Sequence, residues 1–464
     1  MKPFSRVAGT RWRQQQWGGI HSQSWWWTAT WWVAASTTTR AMRTTTSLRT
    51  YVPFSLPVAK DFAPLGNRGT GHRSVFRSSA TDVDPSSFSF TTHASLSALL
   101  DEFEYDALIL DQFGVLHNGK TALEGTVRCV EAIRGSDAAA ADAADDESAS
   151  GKTARNLQLI VLSNTSSPSK TTLSRLDTNL GFDASHFVGA ITSGEESARY
   201  IRETYGKKGE TGRKARFVWV TWDYPAYGNV PNPQDFLDDC GDGVEPTLDV
   251  EEAEFVVAHG CGVIRGFSEQ ETLPLGDFLN DGNLGDGTAI DALLKKCADQ
   301  GLPLICANPD EVVVVEEGVK YMPGKIAKRY CEILSDHIES KDEDNHNKPP
   351  VTIFGKPNVG HFEACLRELE LNREPGDNTA VPLRVAHVGD SLHHDIAGAN
   401  ASGIPSIFIV GGIHAEELLT KGGGESKIQE DVSSSSDLPS EARLREFFDR
   451  EGHTPTHVLP FFRY

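Results

Sequence analysis

Short apolar runs recur along the chain, and most of them end on a residue capable of chemistry. Ala107–Leu110 (ALIL) ends at Asp111, and residues 159–162 (LIVL) end at Ser163. Residues 352–354 (TIF) run into Gly355 and Lys356, residues 385–388 (VAHV) into Gly389 and Asp390, and residues 407–410 (IFIV) into Gly411 and Gly412. Runs this short have strand length, and unbroken apolarity marks burial on both faces. Turns and helix-like stretches follow them, as at 123–133 and 361–371. The alternation predicts an α/β fold with a parallel sheet covered on both sides. In such sheets ligands bind beyond the carboxyl ends of the strands. If these strands are neighbours, Asp111, Ser163, Lys356 and Asp390 converge there. Residues 182–305 hold further strand-like runs, 217–222 (FVWVTW) and Phe255–Ala258 (FVVA), which interrupt the site-bearing series. They predict an inserted second domain.

Three segments carry too little apolar surface to offset the entropy of ordering them: 136–150 (SDAAAADAADDESAS), 337–350 (HIESKDEDNHNKPP) and the Gly-, Ser- and acid-rich 422–440. They read as solvated loops. The Gly-rich stretches 206–212 and 422–424 do not link a strand to a helix and are loops rather than phosphate cradles. There is no internal repeat.

Charge divides the chain further. Residues 1–80 hold eleven Lys plus Arg and one acid, a net of +10, whereas 81–464 hold 33 basic and 64 acidic residues, a net of −31. The basic segment is rich in Ser, Thr and Arg and contains seven of the nine Trp. Such composition marks an organelle transit peptide, with mitochondrion ahead of plastid. The apolar block at 25–35 (WWWTATWWVAA) also allows a secretory route, and a leader that is no address would leave the protein cytoplasmic. The acidic balance of the remainder speaks against nucleic acid as partner. No run of 18 apolar residues suggests a membrane span. Seven cysteines without a CxxC pair suit a reducing compartment and argue against a disulfide framework or a zinc site.

An aspartate after an apolar strand is ordinarily a cap or turn residue; four chemically complementary strand ends point further. A strand-end carboxylate can attack phosphorus, but its charge repels a phosphate unless a divalent cation lies between them. Asp111 and Asp390 suit Mg²⁺, which prefers oxygen ligands and substrate phosphate. Ser163 can donate to one phosphoryl oxygen, and Lys356 can neutralise another and steady the nucleophile.

These residues carry a family resemblance. DQFGVLHNG from Asp111, Ser163-Asn164 in VLSNTS, Lys356 in FGKP, and Asp390 with Asp395 in GDSLHHD resemble, in order, the four motifs of the haloacid dehalogenase (HAD)-like hydrolases. The ANPD at 307–310 and the PG at 323–324 resemble subfamily IIA, which includes sugar-phosphate, phosphoglycolate and pyridoxal-phosphate phosphatases. GDSLHHDIAGAN (389–400) and HTPTHVLP (453–460) look closest to an uncharacterised plant and bacterial branch. The resemblance implies a Rossmannoid core with an α/β C2 cap inserted between motifs II and III. The expected organisation is a leader at 1–97, core at 98–180, cap at 181–310 and core at 311–464. It implies Asp111 as nucleophile, with Mg²⁺ held by Asp111, the backbone carbonyl of Phe113, Asp390 and Asp395, the last through water or in support of Lys356. Ser163 and Asn164 would contact the phosphoryl group, and Asn308 and Asp310 would lie near the core–cap seam beside the substrate. The expected partner is a small phosphorylated metabolite, and some relatives pair as homodimers through the cap.

One position departs from the phosphatase pattern. The motif I residue that protonates the leaving group is an aspartate in phosphatases and is Phe113 here. General acid–base catalysis is typically worth about 10²–10⁴-fold. A phosphatase with Phe113 should therefore be slow or specialised, unless His117, His393 or His394 substitutes. Two other readings stay open: a non-catalytic protein of this fold binding a phosphorylated ligand, and a dehalogenase-like displacement, since haloacid dehalogenases carry an aromatic residue at this position. No spacing among the histidines forms a transition-metal ligand set.

Overall fold

The computed structural model describes residues 89–464 apart from 136–154, 208–211, 225–229, 269–270, 286, 316–317, 341–348, 374–380 and 420–437. The basic leader through residue 88, with its tryptophan block, lies outside the described residues, as does most of each expected loop insertion.

The strands, in chain order, are β1 (Thr91–Thr92), β2 (Ala107–Leu110), β3 (Gln158–Ser163), β4 (Gly189–Thr192), β5 (Ala215–Thr221), β6 (Val244–Pro246), β7 (Phe255–Ala258), β8 (Val263–Arg265), β9 (Thr272–Pro274), β10 (Leu304–Cys306), β11 (Val312–Val315), β12 (Gly318–Tyr321), β13 (Val351–Ile353), β14 (Val385–Gly389), β15 (Ser406–Ile409) and β16 (His457–Leu459). One sheet has the order β1-β16-β15-β14-β2-β3-β4, and all its pairings are parallel. Its central strands are mostly apolar because they are buried on both sides. Leu108, Leu110, Leu159 and Val161 face one core with helices Leu96–Glu102, Thr126–Ile133 and Ser169–Leu180. Ala107, Ile109, Ile160 and Leu162 face another with Phe362, Cys365 and Leu369 of helix Val359–Leu371. Successive strand residues point to opposite faces, so an unbroken apolar run supplies both cores.

A second sheet, in the order β13-β10-β7-β5-β8-β9 with β6 on β5, is mixed. Val218 and Val220 of β5 pack with helices Ala289–Asp299 and Pro323–Ser340, and Phe217 and Trp219 pack with helices Ser193–Thr204 and Pro233–Cys240. β11 and β12 form a separate hairpin.

The sheets divide the chain differently from the expected boundaries. β4 at 189–192 lies in the first sheet, beyond the boundary at 180. Helix Pro323–Ser340 and β13, expected after 310 as core, pack with the second sheet, because β13 pairs with β10 and the helix's apolar face needs that surface. The fold also begins before residue 98: β1 pairs with β16, and the Phe90 ring meets Phe448 at 5.1 Å. Among the described residues, no helix is long and apolar enough to cross a membrane.

The β1–β16 join is closed by a histidine. The His457 ring shares hydrogen bonds with Thr91 Oγ1 (2.7 Å) and Tyr105 Oη (2.8 Å), and its centroid lies 4.4 Å from that of Phe103. Burial, and then the nearby His93, lower its pKa to about 4. The unfolded chain takes up this proton near pH 6.5, whereas the folded chain resists it to about pH 4. Stability is therefore full above pH 6.5 and declines as pH falls toward 4. Urea unfolding at pH 7 and pH 5 should show this decline, and His457→Gln should make it shallower.

Candidate active site

Three adjacent strands of the first sheet set the site by register. Leu110 pairs with Val388 on β14 and with Val161 on β3. Asp111 thus follows β2, while Asp390 and Ser163 each stand one residue further on the flanking strands. Asp111, Ser163, Asn164, Lys356, Asp390 and Asp395 are all buried.

Lys356 reaches this point from elsewhere. Sequence patterning expects its strand beside the other site-bearing strands, but β13 is an edge of the second sheet. Asn164 makes the crossing. Its Oδ1 accepts from the Lys356 backbone N–H at 2.7 Å, and its Nδ2 donates to Asp310 Oδ1 at 2.8 Å. Gly355 has φ +111°, and a Cβ there would lie 2.6 Å from Asn164 Oδ1, so only glycine permits the approach. The Lys356 ammonium then donates to Asp111 Oδ1 at 2.5 Å and Asp395 Oδ1 at 2.7 Å.

Asp395 is held on both oxygens. Oδ1 is also 2.9 Å from His387 Nε2, and Oδ2 accepts from Ser391 N–H at 3.0 Å. Asp390 Oδ2 accepts from the Ile413 N–H at 2.7 Å. The turn after Asp111 passes so close to Asp390 that a Cβ at Gly114, where φ is +81°, would lie 1.8 Å from Asp390 Oδ2.

The charges are unbalanced. One oxygen from each of Asp111, Asp390 and Asp395 lies within 4.8 Å of the others, and the Lys356 ammonium pairs with only two of them, Asp111 and Asp395. Burial opposes the Lys356 cation, but Asp111 and Asp395 hold it protonated, above the usual lysine range. Burial also opposes the Asp395 anion, but Lys356 and His387 keep its pKa well below the carboxylate range. That pairing leaves Asp111 and Asp390 under-compensated. Burial, with the Asp395 charge, pushes Asp111 upward against the pull of Lys356. Burial, with Asp111 and then Asp395, pushes Asp390 well up. Hard oxygen donors with surplus negative charge fit a small divalent cation such as Mg²⁺.

The remaining expected residues lie nearby but in other roles. Asn308 is buried, and its Oδ1 accepts from the Asp310 N–H at 2.9 Å. Asp310 braces Asn164 and lies 3.4 Å from His394 Nδ1. The Phe113 ring is half-buried against His117, with ring centroids 6.1 Å apart. Of the three histidines considered as substitutes for an acid at 113, His117 accepts from the Gly119 N–H at 3.0 Å, and burial followed by the Arg175 charge lowers its pKa to about 4. His393 pairs with Glu451 at 3.0 Å. Only His394 touches the Asp310–Asn164–Lys356 chain. Sequence reasoning missed His387, although a histidine inside the apolar VAHV run was a visible signal. It also missed the Ile413 N–H, which no side-chain pattern announces.

The comparisons follow this geometry. A family model described as haloacid dehalogenase-like hydrolase matches residues 108–220, and one described as HAD-hydrolase-like matches residues 353–434. No curated protein matches the chain. Among solved structures, the chain is similar to a haloacid dehalogenase-like hydrolase from Brucella suis, with 22% identity over 79% of this chain and 98% of that one and a TM-score of 0.48. It is similar to a possible sugar phosphatase from Cytophaga hutchinsonii, with 16% identity, 81% and 99% coverage and a TM-score of 0.49. It is also similar to a p-nitrophenyl phosphatase from Archaeoglobus fulgidus, with 18% identity, 78% and 97% coverage and a TM-score of 0.43.

Three outcomes follow from the geometry of this site. Saturating Mg²⁺ should raise the thermal midpoint, by the equivalent of about 2.7 kcal/mol at a hundredfold excess over Kd. Asp390→Asn should remove most of that shift. Gly114→Ala should displace Asp390 and abolish the Mg²⁺ response, as read by the same thermal scan.

Proposed function

We propose that the protein is a Mg²⁺-dependent phosphatase that acts on a small phosphate ester through an aspartyl-phosphate. The observation that carries the reading is the buried Asp111 carboxylate at a strand end, held by Lys356 and placed beside Asp390. Asp111, the Phe113 carbonyl and Asp390 would hold the metal, whose positive charge would offset the negative charge of the phosphate oxygens. Asp395, already bonded to Lys356, His387 and Ser391, suits the support of Lys356 better than direct ligation.

In this reading an Asp111 oxygen attacks phosphorus, the ester P–O bond breaks, and the leaving oxygen departs with its electron pair and takes a proton. Water then attacks the aspartyl-phosphate, releasing phosphate and restoring Asp111. Lys356 keeps the attacking carboxylate in place, and the Ser163 hydroxyl donates to a phosphoryl oxygen. Phe113 can neither protonate the leaving group nor activate water. Substrates with good leaving groups, such as acyl phosphates, therefore suit this site best. The resemblance of the motifs to subfamily IIA and its plant and bacterial branch points the same way. The basic leader supports organellar import, with mitochondrion ahead of plastid.

Phe113 itself favours a second reading, a protein of this fold that binds a phosphorylated ligand without turning it over. Phosphate release with Mg²⁺ over a panel of phosphate esters and acyl phosphates separates the two. Release that disappears in Asp111→Asn establishes the phosphatase; no release from folded protein leaves the binding reading, with halide release as the next assay. Phe113→Asp should raise turnover of poor leaving groups by up to about 10²-fold, measured as kcat on an alkyl phosphate.

A further inference from the structure

A buried polar seam joins the phosphoryl-contact loop to the second sheet. Ser166 lies two residues beyond Asn164, in the loop leaving β3. Trp222, which follows β5, donates its indole N–H to Ser166 Oγ at 3.0 Å. His259, which follows β7, has Nε2 3.2 Å from the Ser166 carbonyl and Nδ1 2.9 Å from Thr221 Oγ1. A carbonyl only accepts, so Nε2 carries the proton and the Thr221 hydroxyl donates to Nδ1. Burial lowers the His259 pKa to about 3, which keeps this neutral form. From the other side, Ser193 Oγ and the Gly194 N–H donate to the Thr165 carbonyl at 3.0 and 3.1 Å. A Cβ at Gly194 would lie 2.2 Å from Ser166 O, and one at Gly260 would lie 2.4 Å from Trp222 N.

We infer that Trp222 and His259 are positioning residues for the reaction. Through Ser166 they set where Ser163 and Asn164 meet the phosphoryl group, so the second sheet contributes to phosphate recognition as well as enclosing the site. The inference rests on the phosphatase reading for its functional consequence. The geometry favours positioning over simple packing. Two donors from the ends of different strands converge on one residue, and Asn164, two residues earlier in the loop, carries the bond to Lys356. A bond lost at Ser166 frees the loop that bears both Asn164 contacts.

Trp222→Phe removes the indole donor while keeping an aromatic ring, and Ser166→Ala removes its acceptor. Hydrogen exchange in the full chain should speed up over residues 163–168 in both variants and stay unchanged over 107–110. Affinity for inorganic phosphate in the presence of Mg²⁺, by calorimetry, should weaken several-fold, while the concentration of Mg²⁺ for half-maximal thermal shift stays the same. The double variant should be no worse than the more severe single, because both act through one bond. Unchanged exchange over 163–168 in both variants overturns the inference, as do effects that add in the double variant. If one variant fails to fold, the other still decides. Wild-type protein that binds no phosphate would sink the phosphatase reading; the exchange comparison would still decide whether the seam holds the loop.

Discussion

The site is organised around one buried ammonium. Lys356 is held between Asp111 and Asp395, and each of the three depends on the others for its charge state. An isolated charge at that depth would be neutralised or expelled; removing one partner from such a pair typically costs about 3–5 kcal/mol. The arrangement therefore fixes geometry as much as it contributes stability. It obliges the second sheet, which delivers Lys356, to stay in register with the first, which delivers both carboxylates. The leftover negative charge at Asp111 and Asp390 gives the site its demand for a cation.

Close backbone approach makes that meeting possible. Gly114 lets the turn after Asp111 lie against Asp390, and Gly355 lets Lys356 enter past Asn164. Neither position leaves room for a Cβ, and both have positive φ. Asn164 spends its side chain on the join, bonding Lys356 on one side and Asp310 on the other. The residues that touch phosphate in the proposed reaction are thus tied by short hydrogen-bonded paths to the framework that aligns them. Phe113 stands apart from this network, with its ring turned toward His117. The arrangement gathers buried carboxylates, an ammonium and a hydroxyl at the strand ends, with no acidic side chain at position 113.

Much of this was legible in the chain. The apolar strands and the chemistry at their ends announced a parallel sheet with Asp111, Ser163 and Asp390 along one edge, because burial on both faces leaves an unbroken hydrophobic run. The insertion between Ser163 and Lys356 was legible from the strands that interrupt the series. Domain edges were harder. Helix Pro323–Ser340 carries an apolar face that would suit either sheet, and only the pairing of β13 with β10 assigns it. The three-residue β13 looks like its counterparts, since local composition does not say which neighbour a strand will choose.

The sequence by itself determined the main apolar strands and the placement of reactive residues at their ends. These depend on residue type and on spacing along one chain. Only the tertiary structure decided that Lys356 arrives from the second sheet, that His387 and Ser391 fasten Asp395, and that Trp222 and His259 reach Ser166. Those contacts join residues from separate elements. Hydrogen-bond partners of that kind are selected by how sheets pack, and the pattern along a single strand carries no record of it.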